Sequence, residues 1–357
     1  MKVAIVVPVF CTGGAENMAA QLAVNLDRSQ VDVEVISMYP RQGHVFEKKI
    51  EDAGIPIHYM DKKGHASLGA MGRLWKCLSI MKPDIIHVHM YSVFYAIPWI
   101  AFHKATMVRT IHIQPDQEFT PFLRWALHSG ARMGKIFPVA ISKANREQAL
   151  ALYHCSEKLY PYVNNPVELE KYYHRKQDGT PVTFIAVGRL EERKNQVLII
   201  HALPEVIRQA GDVKLILLGD GELKEFLVQE AERLGVSHSV EFAGNQSNPQ
   251  DYLAVSDVFV SASHMEGLPL SVLEGMASGL PVISTDVGAM RDLVQGNGTL
   301  IMDNDLEALI REMVRFALDP ELRQRCGEIS RQMVKAYDAG SCARAYTEIY
   351  QELCGKD

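Results

Sequence analysis

Short runs of β-branched and apolar residues alternate along this chain with stretches where apolar residues recur every three or four positions. Residues 3–9 predict a buried strand. Residues 15–26 predict a helix with Met18, Leu22 and Leu26 on one face. Further strands are predicted at 31–38, 55–59, 84–89, 108–113 and 135–140, and helices at 46–53 and Leu68–Met81, the latter stopping before Pro83. The second half repeats this grammar. Strands fall at Val182–Val187, Val213–Leu218, 240–242, Val258–Ser261 and 281–285. Helices fall at 196–209, 223–234, Pro249–Ala254, 270–278, 289–293, Leu306–Leu318 and 343–353. Strands alternating with helices predict parallel sheets with crossover helices. The expected fold class is therefore α/β, with two doubly wound Rossmann-like domains facing across a cleft. The join is expected within 164–179, with 176–181 as the linker, giving domains 1–170 and 171–340. Open parallel sheets bind ligands at the carboxyl ends of their strands, so the loops after the strands are the places to look.

Composition narrows this picture. With 357 residues, 47% hydrophobic and 22% charged, the chain reads as a globular protein of two ordinary domains. No apolar run approaches the length of a membrane span. Residues 1–10 are apolar but run straight into Gly13 and Gly14 without a cleavage pattern, so they predict a first strand rather than a signal peptide. The six cysteines, Cys11, Cys77, Cys155, Cys326, Cys342 and Cys354, are scattered. That spacing argues against a zinc site or disulfide framework and fits a reducing cytoplasm. The net charge of −6 is uneven: residues 1–165 carry +5 and residues 166–357 carry −11. A basic first half suits an anionic acceptor or membrane face, although ordinary scatter of surface charge gives the same figures.

Three loops carry candidate chemistry. Gly13 and Gly14 join the first strand to the first helix, where a backbone can approach a ligand and a helix start favours phosphate. The spacing is not G-x-G-x-x-G, so the dinucleotide fingerprint is absent, and a tight βα turn explains the glycines equally well. Gly188 and Arg189 end the first strand of the second half, and Lys194 follows. Arginine offers a planar fork for phosphate oxygens and lysine a point charge. With Glu191, Glu192 and Arg193 between them, the loop alone also reads as a solvated charged turn. Glu266 precedes Gly267, Leu268, Pro269 and Leu270, and Glu274 lies eight residues further on, inside the next helix. The amides of 267–270 are then free donors for an anion, and a carboxylate suits a pair of adjacent hydroxyls. Read separately, Glu266 is also a helix-start acid and Glu274 a surface residue.

Taken together, Gly13-Gly14, Gly188-Arg189-Leu190, Lys194-Asn195 and the Glu266/Glu274 spacing resemble the retaining GT-B glycosyltransferases of the Glu-x7-Glu class, family 4 and group 1. Pro83-Asp84, His87 and His89, Val139 to Ser142, Asn165 to Glu168, Gly219-Asp220-Gly221 and Val240 to Gly244 match in the expected order. Asn165-Pro166 departs from the commoner Asn-Gly. The resemblance implies that Gly13 and Gly14 bring amides to a donor diphosphate. Arg189 and Lys194, beside Gly188, would hold that diphosphate and stabilise it as leaving group. Glu266, with Gly267, Leu268, Pro269 and Leu270, would contact the donor sugar, and Glu274 the nucleotide ribose. His112 matches a family histidine near the reacting centre, and Asn245 lies where main chain reads the base. The implied reaction is metal-independent transfer, with retention, of a hexose or N-acetylhexosamine from a nucleotide-diphosphate sugar, UDP-sugar favoured. The acceptor would be a saccharide or lipid-linked molecule in bacterial polysaccharide or glycolipid synthesis. The C-terminal helix, 341–357, would return to the first domain. No cofactor and no nucleic-acid partner are expected.

Asp303-Asn304-Asp305 is a literal D-x-D, but it directly precedes a helical run, and Asp305 reads as a helix cap. His87 and His89 end a buried strand with no carboxylate or cysteine in register, which favours a structural role over metal binding. The aromatic and basic segment 119–135 reads either as a membrane-surface helix or as an amphipathic helix packed on its own domain. The expected location is cytoplasmic, with peripheral contact at the inner face of the membrane under the first reading. Two other classes compete with the transferase: a sugar-nucleotide 2-epimerase on a similar fold, and a catalytically idle binding partner. An epimerised donor formed without acceptor would mark the epimerase.

Overall fold

The computed structural model describes residues 1–11, 13–64, 67–173 and 181–355, so the expected linker lies, apart from Pro181, outside the described residues. The chain forms two compact units. One comprises Met1–Pro166 with Tyr337–Asp357, the other Val167–Ala336.

The first unit holds β1 (Lys2–Val7), β2 (Asp32–Ser37), β3 (Ile57–Tyr59), β4 (Ile85–His89), β5 (Thr106–Ile111) and β6 (Ile136–Ala140). They form one parallel sheet in the order β3-β2-β1-β4-β5-β6. The strand β1 shows why its sequence is a continuous apolar run rather than an alternation. Val3, Ile5 and Val7 pack with the helices Gly14–Asn25 and Ala339–Cys354, while Ala4 and Val6 pack on the other face with Leu68–Met81 and Val93–Phe102. A parallel sheet covered on both sides has no polar face to show.

The second unit holds β7 (Val182–Val187), β8 (Val213–Leu218), β9 (Val240–Gly244), β10 (Val258–Ser261), β11 (Val282–Thr285) and β12 (Gly298–Ile301). Its order is β12-β11-β10-β7-β8-β9, again parallel. Counted within its own unit, each sheet has the order 3-2-1-4-5-6, which bears out the doubly wound reading. The order reverses between β1 and β4 in one unit and between β7 and β10 in the other. Such switch points open a crevice at the carboxyl ends of the strands.

Four elements escape the periodicity. Val93–Phe102 is helical despite Pro98 inside it, and it is too uniformly apolar to show a face. Lys143–Tyr153 starts at Ser142, whose hydroxyl caps the Asn145 amide, and Pro320–Met333 starts at Asp319, which caps Leu322. The edge strand β12 has four residues, too few for a period.

Candidate functional site

The second unit's switch point is built by two loops. One runs from the end of β7 to the helix Gln196–Ala210, the other from β10 to the helix Leu270–Ala277. They meet in a single ion pair. Lys194 Nζ lies 2.6 Å from Glu266 Oε1, with the two side chains 17% and 8% exposed. A recess opens beside the pair, lined by Val187, Gln196, Ser261, Ser263 and Ser271. Lys194 and Glu266, which the sequence places 72 residues apart, are thus one feature.

The backbone explains how the loops come so close. Gly188 has φ +154°, and a Cβ there would stand 3.4 Å from the Lys194 side chain. Gly219, at φ +142°, packs on the Gly188 carbonyl so tightly that a Cβ would overlap it, and Gly221 does the same to Leu190. Gly244 joins this cluster by accepting from the Gly219 amide at 2.9 Å. Asn245 follows it and is exposed. On the other loop, Gly288 (φ +55°) leaves room only for the Glu266 carbonyl.

Asp303-Asn304-Asp305 has a structural occupation at every position. Asp303 faces the His264 ring at 2.8 Å, Asn304 accepts from Asn195 Nδ2 at 3.1 Å, and Asp305 caps the Ala308 amide at 2.9 Å. Both Asn195 and Asn304 hold left-handed backbone, with φ 49° and 59°. The His264 amide also donates to the Arg193 carbonyl at 2.9 Å. The segment 303–305 therefore buttresses the two loops that present Lys194 and Glu266. The sequence gives little signal for this role beyond Asn304, whose side chain tolerates left-handed backbone.

Arg189 is not drawn into the ion pair. Its side chain is 67% exposed and lies 3.5 Å from Glu191, while its carbonyl accepts from Gln196 Nε2 at 2.8 Å. It stands at the rim with its guanidinium open to solvent. Gly267 and Leu270 lead into the helix Leu270–Ala277, whose N-cap is Pro269. Among the described residues, the amides of Gly267, Leu270 and Ser271 meet no acceptor, and the carbonyls of Gly267 and Pro269 turn inward to Ala289, Val272 and Leu273. Leu268 is buried. Lys194, Arg189 at the rim and open amides at a helix start together offer donors that suit a diphosphate.

Glu274 is buried rather than on the surface. Burial pushes its carboxyl up to about 7, against a hydrogen bond from the Tyr172 hydroxyl that favours the charged form. No spacing in the sequence points to Tyr172. A half-charged carboxylate held by one hydroxyl can exchange that partner for the hydroxyls of a sugar.

In the first unit, Gly13 is the N-cap of Gly14–Asn25, its carbonyl accepting from Asn17. Glu16 in the first helical turn is pushed up by burial. His112 follows β5 and is buried. Its Nε2 lies 2.9 Å from His89 Nδ1, and His89 stacks on His87 at 4.5 Å. His87 in turn bonds the Tyr350 hydroxyl at 2.6 Å and Thr110 at 2.7 Å. Burial pushes His87 and His112 down to about 3, so both rings are neutral. Beside them Arg109 and Glu118 form a buried pair. Among the described residues no group of three His, Cys, Asp or Glu side chains could hold a metal ion.

Comparison with known proteins matches both units. Residues 12–171 match Glycosyltransferase Family 4, and residues 171–333 match Glycosyl transferases group 1. An uncharacterized glycosyltransferase of Methanocaldococcus jannaschii is 40% identical over 130 residues, covering 36% of this chain and 31% of the relative. The lipopolysaccharide core biosynthesis glycosyltransferase LpsE of Rhizobium meliloti is 36% identical over 172 residues, covering 47% and 48%. The chain thus spans half or less of the length of these two relatives. Anabaena HepE, solved with UDP and glucose, superposes with a TM-score of 0.85 at 20% identity, covering 99% of this chain and 100% of that one. At that identity the likeness is one of fold.

Proposed function

The chain belongs to the glycosyltransferases of family 4 and group 1, and we propose that it moves a hexose or N-acetylhexosamine, with retention, from a nucleotide-diphosphate sugar to a saccharide or lipid-linked acceptor. The observation that carries the reading is the Lys194–Glu266 pair at the switch point of β7 and β10, beside two helix starts. UDP is the favoured carrier, in keeping with the UDP and glucose of the Anabaena structure. Polysaccharide or glycolipid synthesis is the favoured setting, in keeping with the name of LpsE.

In this reading Lys194 and Arg189 meet the diphosphate, and the amides of Gly267 and Leu270 add donors. Glu266 keeps Lys194 in place and accepts from sugar hydroxyls. Glu274 takes the ribose, Asn245 lies by the base, and Gly13, Gly14 and His112 contribute from the first unit. Transition-state charge builds on the departing diphosphate, so fixed cations and amides there lower the barrier more than they strengthen ground-state binding. With these donors the reading requires no divalent ion. The acceptor proton passes to the leaving phosphate. A thermal-shift screen of nucleotide sugars identifies the donor by mass action. With that donor, the double variant Arg189→Ala/Lys194→Ala loses transfer by at least ~10³-fold, since two charge-assisted contacts supply about 4 kcal/mol. Turnover close to wild type would remove both residues from the mechanism. Donor incubated without acceptor stays unepimerised, whereas an epimer would point to the 2-epimerase.

Membrane contact belongs to the same proposal. The helix Pro121–Arg132 buries Leu127 and Ala131 but exposes Phe122 (75%) and Trp125 (64%), with Met133 (73%) just beyond. The buried face fits packing on its own domain, and the exposed face supports the membrane-surface reading proposed here. Lys135 donates to the His103 carbonyl, which brings a cation beside the exposed Phe102. Aromatic groups among cations suit an anionic lipid surface. No described helix is long and apolar enough to cross a membrane. Sedimentation with anionic liposomes is expected to weaken with salt and to fall in Phe122→Ser/Trp125→Ser. Absence of binding at every salt concentration would refute the contact.

A further inference from the structure

His89 touches His112, the histidine assigned to the donor sugar in the proposed reading. It ends β4 and is fully buried. One of its ring nitrogens, Nδ1, faces His112 Nε2 at 2.9 Å. The other, Nε2, is sealed from solvent and has no hydrogen-bond partner among the described residues. Burial keeps both rings neutral, so one proton lies between them and two arrangements are open. If His112 donated from Nε2, His89 would accept at Nδ1 and carry its own proton on the sealed Nε2. That is a buried N–H with no acceptor. If His89 donates from Nδ1, its sealed Nε2 is only an unused lone pair. Unsatisfied buried donors are the rarer and costlier defect. The second arrangement therefore prevails, and it leaves the His112 proton on Nδ1. That nitrogen has no partner among the described residues and, unlike His89 Nε2, is not sealed.

We propose that His89 is a positioning residue that fixes His112 as its Nδ1–H tautomer, so that His112 presents a hydrogen-bond donor to an oxygen of the donor sugar. This rests on the reading that places His112 at the sugar. The supporting geometry is rigid. His87 stacks on His89 with an interplanar angle of 28°, and Tyr350 and Thr110 clamp His87 from both ring nitrogens. Thr110 also bonds the Tyr346 hydroxyl at 2.9 Å. A neutral histidine is otherwise free to choose its tautomer, and the one selected decides whether it can donate or accept at a given atom.

The test reads the tautomer directly. In protein labelled with ¹⁵N-histidine, long-range ¹H–¹⁵N correlation distinguishes protonated from unprotonated ring nitrogens, and His112→Gln identifies the His112 signals. Wild type is expected to show His112 protonated at Nδ1. His89→Asn, whose amide N–H falls near the place of Nδ1, keeps that tautomer and stays within about threefold of wild-type kcat. His89→Leu lets His112 revert to Nε2–H, and kcat falls ~30-fold at a nearly unchanged donor KM, the effect of losing one donor in the transition state. Melting curves confirm that each variant is folded. His112 protonated at Nε2 in wild type, or the same tautomer in His89→Asn and His89→Leu, overturns the proposal. The reading beneath it is tested separately: an undiminished His112→Ala would remove His112 from catalysis, whatever its tautomer.

Discussion

With the ribose role proposed for it, Glu274 sets function against stability in a single side chain. Its carboxyl is raised from 4.5 to about 7 by burial. A raised folded-state value gives stability that is complete below 4.5 and is lost as pH rises through 7. At pH 8 the folded protein therefore carries a penalty of about 3 kcal/mol at this site. Glu274→Gln removes the titration while keeping an acceptor for Tyr172. Its urea midpoint is expected to exceed wild type at pH 8 and to match it at pH 4.5. In the role proposed for it on the ribose, Glu274 has the opposite demand, because the hydroxyls need the charged carboxylate. Calorimetric titration with UDP is expected to show about tenfold tighter binding at pH 8 than at pH 6 in wild type, and weak, pH-independent binding in Glu274→Gln. A wild-type affinity flat across this range would take Glu274 off the nucleotide.

Elements matter here through their ends. Glycines at 188, 219, 221 and 288 allow strand-end loops to touch backbone to backbone, and the segment 303–305 pins two of those loops from behind. The ion pair is the product of these contacts rather than of either loop's own conformation. Gly288→Ala puts a methyl into the Glu266 carbonyl and forces left-handed backbone on an alanine. The change is expected to cost about 2 kcal/mol of stability. Transfer should fall further than the folded fraction, because the Glu266 loop must move to relieve the overlap. Comparing kcat/KM with the fraction folded by circular dichroism checks this. Proportional losses would mean that the Glu266 backbone is not critical.

At the scale of the molecule, the first unit carries its own cluster of buried titratable groups. The first unit buries three neutral histidines, His87, His89 and His112, and Tyr346 and Tyr350 of the C-terminal helix pack against His87. Their folded-state values lie below the ordinary 6.5. Their stability is thus present above pH 6.5 and is lost as pH falls. Each histidine contributes a slope of up to about 1.4 kcal/mol per pH unit. The first unit is therefore expected to unfold before the second as pH drops from 6.5 towards 4. Amide hydrogen exchange at pH 7 and pH 5, resolved by unit, measures this. Equal loss of protection in both units would show that the histidine cluster is not the acid-labile part.

The alternating elements, the two doubly wound sheets and the family were legible in the order of residues alone. Those follow from local periodicity and from glycines and charges at strand ends, which neighbouring residues encode. The sequence also marked Lys194, Glu266 and Glu274 as residues of interest, and read Asp305 as a cap. Their arrangement emerged only in the folded chain. It paired Lys194 with Glu266 and left Arg189 at the rim. It buried Glu274 against Tyr172, and it tied His112 to His89, His87 and a helix at the other end of the chain. These are contacts between residues tens or hundreds of positions apart, set by which strand lies beside which. Desolvation, the force that retunes Glu274 and the histidines, exists only once the chain has closed around them.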